Sequence, residues 1–335
     1  MLPKLQEHPT GCLPEKCESP IQYGEGWQAW TAYLDTYQHI PLERTAQFFE
    51  DLTGHRPSEK TLLSSLEKLS GRLEPIEESI KHELMESPVV HADETSMRTE
   101  AGKRWLHSIS NTYYTLYHVD EKRGKEAFDQ FDFLPSYKGI VVHDFWASYF
   151  HEDYKVSHAL CGAHLLRECQ GIIDYDKHKW ASEMQALLRE ALSVKRQALQ
   201  SGIPIPLKEI RAIETRYDDI LERGSAEWRI LPPEKKPGER GKVRKPKATN
   251  LAERFCLYKA DILRFLMDER VPFDNNQAEQ DIRMMKVKTK VSGSFRTEQG
   301  AIRFARIRGF ISTMRKQGRN LLESITLVNQ GKFSL

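Results

Sequence analysis

Two short apolar runs, Val89-Val90 and Ile140-Val141-Val142, each lead within a few residues to an aspartate, Asp93 and Asp144. Between them the texture of the chain changes from strand to hairpin to helix and back to strand. Pro88 to Asp93 reads as one strand. Arg104 to Ser110 and Tyr113 to Val119 alternate aromatic and β-branched residues and meet at Asn111-Thr112, the pattern of a hairpin. Lys125 to Phe131 reads as a short helix, Gly139 to Asp144 as a buried strand, and Tyr154 to Leu160 as a fifth strand.

Three strands, a helix and a fourth strand predict an α/β fold with a ribonuclease-H-like core, and the rest of the chain is helical. Ahead of the core, Trp27, Trp30, Leu34 and Tyr37 recur at helical spacing, followed by Leu42 to Leu52, Thr61 to Leu69 and a further helix at Ile76 to Met85. Thr53-Gly54 breaks the second and third pieces, and Ser58 is a plausible N-cap. This helix, turn and helix is either a DNA-reading helix-turn-helix or a helical hairpin packed on the next domain. Beyond the core, Trp180 to Gln200, Leu207 to Arg223 and Leu251 to Met267 are helical without an intervening strand. Residues 231–247, rich in proline, glycine and positive charge, read as a mobile loop or a solvated linker. The expected organisation is a helical region at 1–86, the first part of the core at 87–164, an α-helical insertion at 165–270, and the last part of the core with basic helices at 271–335.

At 335 residues the chain is long enough for a sizeable core plus helical appendages. No secretory signal and no run of about 20 apolar residues is visible, so a cytoplasmic protein is expected. The five cysteines are odd in number and scattered, which fits a reducing compartment. A net charge of only +2 does not mark a nucleic-acid binder, but the charge is unevenly placed. From Arg283 to Arg319, Arg283, Lys286, Lys288, Lys290, Arg296, Arg303, Arg306 and Arg308 are among many cations opposed only by Glu298. Such an imbalance faces something anionic.

Asp93 and Asp144, at the ends of neighbouring strands, are placed to point into one crevice. Carboxylates from separate elements suit a pair of hard divalent cations, which prefer oxygen ligands. Either aspartate alone is weak, because Asp is a common turn former. A later acid, Glu279, begins a helix on which Glu279, Arg283 and Lys286 share one face. The competing structural account is that Asn276 and Glu279 form a capping box and Glu279 an ordinary ion pair with Arg283. Glu94, beside Asp93, belongs on the opposite face of its strand.

Four segments of this sequence resemble the insertion sequence 66 family of bacterial DDE transposases. They are His91-Ala92-Asp93-Glu94-Thr95-Ser96, Val142 to Tyr149, Cys161-Gly162-Ala163-His164-Leu165-Leu166-Arg167, and Asp274 to Arg283. Tyr37 to Thr45 is similar to that family as well. The resemblance implies Asp93, Asp144 and Glu279 as catalytic, metal-binding carboxylates, Mg2+ (or Mn2+) as cofactor, and cleavage and strand transfer on double-stranded transposon and target DNA. It implies a homodimer, accessory proteins of the element, and a bacterial, nucleoid-associated location. Arg283, Lys286, Lys288, Lys290, Arg303, Arg306 and Arg308 are expected to contact DNA.

The sequence departs from the family at two places. The usual aspartate-glycine-tyrosine is Asp144-Phe145-Trp146 here, and the resemblance implies a longer amino-terminal region with a cysteine-rich cluster, of which Cys12 and Cys17 are either a remnant or unrelated thiols. Two cysteines cannot close a tetrahedral zinc site. Cys161 and His164 have ligand-like spacing, but no second pair completes a site, and they read as core and supporting residues. The rival functions are a truncated, non-catalytic protein that binds transposon ends, and a ribonuclease-H-like DNA nuclease without a joining step.

Overall fold

The computed structural model describes residues 23–229 and 245–335. Cys12, Cys17 and most of the basic run at 231–247 lie outside the described residues.

Helix α1 (Glu25–Ala32) passes into a π-helical turn, Tyr33–Tyr37, closed by the Gln38 amide donating to the Tyr33 carbonyl at 3.0 Å. Helix α2 (Leu42–Thr53) ends at Gly54, whose φ of 76° only glycine adopts without strain. Helix α3 (Glu59–Met85) starts where expected, with the Ser58 side chain accepting from the Thr61 amide. It then runs unbroken through Pro75, where a separate helix was expected from Ile76. The ring removes one backbone donor, but Leu73 and Ile80, on either side of it, are buried in adjoining clusters, and that burial holds the two halves in line.

The sheet contains β1 (Val89–Thr99), β2 (Gly102–Ser110), β3 (Thr115–Asp120), β4 (Ile140–His143) and β5 (Ser157–Leu160) in the order β3-β2-β1-β4-β5. β1, β2 and β3 are antiparallel, whereas β4 and β5 join β1 in parallel. The β2–β3 hairpin is tied by Asn111, whose side-chain oxygen accepts from the amides of Tyr113 and Tyr114. Helix α4 (Lys125–Phe131) supplies the crossover between β3 and β4.

The two faces of the sheet follow from alternation along its strands. Val90, Val141, Ile109 and Leu116 face Ile80 and Leu84 of α3 and Phe128 and Phe131 of α4. Val89, Val142 and Ala159 face the helices that follow β5. These are α5 (Gly162–Tyr175), α6 (Lys179–Ser201), α7 (Leu207–Arg223), α8 (Ser225–Trp228), α9 (Lys247–Leu257) and α10 (Lys259–Met267), packed around Trp180, Tyr217 and Phe255. One helix was expected over Leu251 to Met267; the chain instead breaks at Tyr258, whose ring packs on Phe150 at 4.6 Å between centroids.

Helices α11 (Asn276–Ser292), α12 (Glu298–Lys316) and α13 (Leu321–Asn329) complete the chain. α12 lies against β3 and α3, and Ala29, Leu69, Leu73, Ile307, Phe310 and Ile325 bring helices from both ends of the sequence into one core.

Candidate metal and nucleic-acid site

Parallel pairing of β1 with β4 ends at His91 opposite Val142. Two residues farther along stand Asp93, still within β1, and Asp144, the first residue after β4. Because parallel partners share a face and side chains alternate, both aspartates fall on the side of the sheet that Val89 and Val142 occupy. β1 continues to Thr99 in register with β2, its other edge meeting only an isolated bridge from Thr99 to Phe295, so Asp93 lies mid-strand at the point where β4 turns away. That turn is made by Asp144 itself, whose Oδ1 accepts from the Trp146 amide at 2.8 Å.

The third element arrives through Asn275. Its side-chain nitrogen donates to the Ala92 carbonyl and its oxygen meets His91 Nδ1, both at 2.8 Å, while its amide donates to Cys161 Sγ at 3.2 Å. These bonds pin the start of α11 to β1 and to the corner between β5 and α5. Gly162 allows the same approach from the other side: it donates to the Phe273 carbonyl at 2.8 Å, and a Cβ there would lie 2.3 Å from the Phe273 ring.

Glu279 therefore stands one turn into α11, facing α5. A capping box does not form, because the Asn276 amide is satisfied by Asp274 Oδ1 at 3.1 Å. Among the described residues, no ion pair joins Glu279 to Arg283. Its Oε1 lies instead 3.5 Å from both His164 Nδ1 and Arg167 Nη2.

The electrostatics tie the three acids together. The Asp93 carboxyl is pushed up to about 7, first by burial and then by the negative charge of Glu94, with Asp144 and Glu279 adding to the repulsion; the Glu94 amide, donating to Oδ1 at 2.8 Å, opposes it. Among the described residues, no cation pairs with Asp93 or Asp144. Glu94 is engaged on the other face: Arg123 contacts it at 2.7 Å and the Tyr149 hydroxyl donates to it at 2.7 Å. Arg123 lies 3.8 Å over the ring of Trp146 and 4.9 Å over that of Trp105. The unusual Phe145-Trp146 pair is thus accommodated by cations, since Arg254 lies over Phe145 in the same way. Nothing in the sequence marked Arg123 as part of this site, and Tyr149 stood only as the last residue of a segment resembling the family, without a role.

Two aspartates gathered in a half-buried crevice without a cationic partner, beside Glu279, suit a divalent cation, which would relieve their mutual repulsion. An all-oxygen set fits Mg2+ or Mn2+.

The cations expected to face DNA separate into two groups. Arg283, Lys286 and Lys290 are exposed on α11. Lys288 is turned inward, 3.9 Å from buried Asp35. On α12, Arg303 meets Glu67 at 3.2 Å, and Arg306 meets Glu74 at 3.0 Å and Glu77 at 2.7 Å. Arg308 is largely buried, with its guanidinium over Tyr37.

A family model described as the transposase IS66 family matches residues 20–303 of the chain. Comparison with curated proteins finds no match.

Proposed function

The chain belongs to the IS66 family of transposases, and on that premise we propose that it cuts and joins DNA by DDE chemistry, with Asp93, Asp144 and Glu279 as the metal-holding carboxylates. The observation that carries this reading is the crowding at Asp93, where three further acids bear on one buried carboxyl group. Such an arrangement is costly for folding and is useful once a dication is held there. The strand order β3-β2-β1-β4-β5, with the helices α5 to α10 inserted before α11, supports a ribonuclease-H-like core.

Mg2+ or Mn2+ bound by these carboxylates supplies Lewis-acid activation of the attacking oxygen and neutralises charge on the leaving oxygen of a phosphodiester. The chain itself provides position. Asn275 fixes α11 against β1, His164 and Arg167 orient Glu279, and the Glu94–Arg123–Trp146 stack holds the turn that presents Asp144. Arg283, Lys286 and Lys290, on the helix that carries Glu279, anchor the DNA backbone beside the scissile bond. The inward cations Lys288, Arg303, Arg306 and Arg308 serve the fold in this reading. Handling two transposon ends together calls for a homodimer, with accessory proteins of the element and a location in the bacterial cytoplasm at the nucleoid belonging to the same proposal. No described helix is long and apolar enough to cross a membrane.

The test is a magnesium-dependent assay on DNA carrying the element's ends. Cleavage followed by joining is expected, with Asp93→Asn, Asp144→Asn and Glu279→Gln each abolishing cleavage while binding persists. Binding without cleavage by the unaltered chain would establish a non-catalytic end-binding protein, and cleavage without joining a nuclease.

A further inference from the structure

Glu279 has a second set of neighbours, of which the DDE reading gives His164 only an orienting part and Cys161 none. Cys161 Sγ, a His164 ring nitrogen and a Glu279 carboxylate oxygen all lie within 4.8 Å of one another. The three come from two elements held in fixed relation: Cys161 precedes the first residue of α5, His164 is in its first turn, and Glu279 approaches from α11. Asn275 and the close approach of Gly162 to Phe273 lock that relation. His164 Nδ1 is buried and has no hydrogen-bond partner, although it points toward Glu279 at 3.5 Å. A buried ring nitrogen 3.5 Å from a carboxylate oxygen and without a hydrogen-bond partner, in a ring that also neighbours a thiol, is an unfilled ligand position.

We propose that Cys161, His164 and Glu279 form a site for a thiophilic divalent cation of the zinc class, and that filling it draws Glu279 away from Asp93 and Asp144. The second half rests on the DDE reading; the first does not. Thiolate, imidazole and carboxylate are ordinary zinc ligands at about 2.0 to 2.3 Å, and three protein ligands with one position open to water is a common zinc arrangement. Tetrahedral bonds of that length set ligand atoms ~3.6 Å apart, so small side-chain rotations close the trio. Magnesium does not accept a thiolate, so the two sites select different ions and compete for one carboxylate. Binding exchanges the Cys161 thiol proton, released to solvent, for the metal ion. A thiolate and a carboxylate balance the dication. Burial pushes the Cys161 thiol up, and the backbone amides of His164, Asn275 and Ala163 that reach the sulfur act in the opposite direction, toward the thiolate. Arg167, 3.5 Å from the same Glu279 oxygen, is the cation that must give way.

Co2+ reports directly on this site, because thiolate ligation adds a near-ultraviolet charge-transfer absorption to the visible cobalt bands. The experiment uses the full chain carrying Cys12→Ser, Cys17→Ser and Cys256→Ser, which leaves Cys161 and the fully buried Cys169 as its thiols. One equivalent of Co2+ is expected to bind with thiolate absorption and to be displaced by Zn2+. Cys161→Ala should abolish that absorption, and His164→Ala should weaken binding at least tenfold, with Asp93→Asn unaffected. Absence of the absorption in the starting chain, or its persistence in Cys161→Ala, overturns the site. Should Cys161→Ala fail to fold, unaltered cobalt affinity in the partly exposed His164→Ala overturns it instead. The coupling is read from Mn2+ held by the carboxylates and counted by electron paramagnetic resonance. Zn2+ should lower Mn2+ affinity at least tenfold, and should do so less in His164→Ala. Equal Mn2+ affinity with and without Zn2+ overturns the competition. If no Mn2+ binds at all, the carboxylate reading falls and the competition with it, while the cobalt absorption still decides the thiolate site.

Discussion

The seam between α3 and α12 and the crevice between β1, β4 and α11 are built from the same kinds of charge and use them in opposite ways. In the seam, Glu67, Glu74 and Glu77 each meet an arginine of α12, so two guanidinium groups compensate three carboxylates within the fold. In the crevice, Asp93, Asp144 and Glu94 bear on one another, and only Glu94 is compensated, by Arg123 on the far face. Paired charge where two helices meet fixes which helix packs where. Unpaired like charge raises the free energy of the folded chain and calls for something from outside to relieve it.

The largest effect should separate the two regions outright. Asp93→Asn or Asp144→Asn is expected to reduce magnesium-dependent cleavage by at least ~1,000-fold, because an amide brings no charge to neutralise the ion it would have to hold. The same substitutions should not destabilise the chain, since they remove repulsion. Thermal unfolding with and without Mg2+ tests this: the ion should raise the midpoint of the unaltered chain and leave that of Asp93→Asn nearly unmoved. A chain that melts markedly lower as Asp93→Asn would place that carboxylate among the structural pairs.

Arg306→Ala should do the reverse. It strands Glu77, which is largely buried, and removes both ion pairs to α3, for a loss of about 1 to 3 kcal/mol in urea unfolding. Intrinsic DNA affinity of the folded fraction should hold. If Arg306→Ala instead weakens binding at unchanged stability, the seam is a DNA surface and the distinction between the two regions collapses.

Histidines sharpen the comparison through pH. His39, on the seam side, is held at about 4 by burial and by Arg308 and Lys288; His107, in β2 behind the crevice, is held at about 4 by burial. Both folded values lie below the ordinary 6.5. Between those values the unfolded chain takes up protons that the folded chain refuses, so stability falls as pH drops from about 6.5 toward 4. His39→Gln and His107→Gln should each flatten that slope in denaturant titrations at stepped pH. An undiminished slope in both would put the protons elsewhere.

The sequence made parts of this legible and hid others for physical reasons. Val89-Val90 and Ile140-Val141-Val142 are apolar because both faces of a parallel pair are covered, and the aspartates beyond them share a face by simple alternation. Lys125 to Phe131 was readable as a helix from its own residues. Pro75 was not readable as helical, because what overrides the proline is burial on both sides of it. The seam was hidden for a similar reason: the acids of α3 precede the arginines of α12 by more than two hundred positions, and a run of cations looks the same whether it faces DNA or another helix. Glu279 could be placed only by resemblance, since its position depends on Asn275 reaching back to Ala92 and on a glycine tight against Phe273.

The smallest effects belong to the exposed cations of α11, and there the comparison is most open to refutation. Arg283, Lys286 and Lys290 are exposed, so truncating any one to alanine should change stability by no more than ~0.5 kcal/mol. Each truncation that leaves a phosphate unneutralised should reduce the slope of log Kd against log salt by about 1 and weaken binding alike on transposon-end and unrelated duplexes, because a phosphate carries no sequence. Arg303→Ala, in the seam, should leave that slope where it was. Fluorescence anisotropy of labelled duplex across a salt series distinguishes the two. Equal slopes for the α11 variants and the unaltered chain would mean that these cations touch no phosphate, and that DNA reaches the crevice from another side.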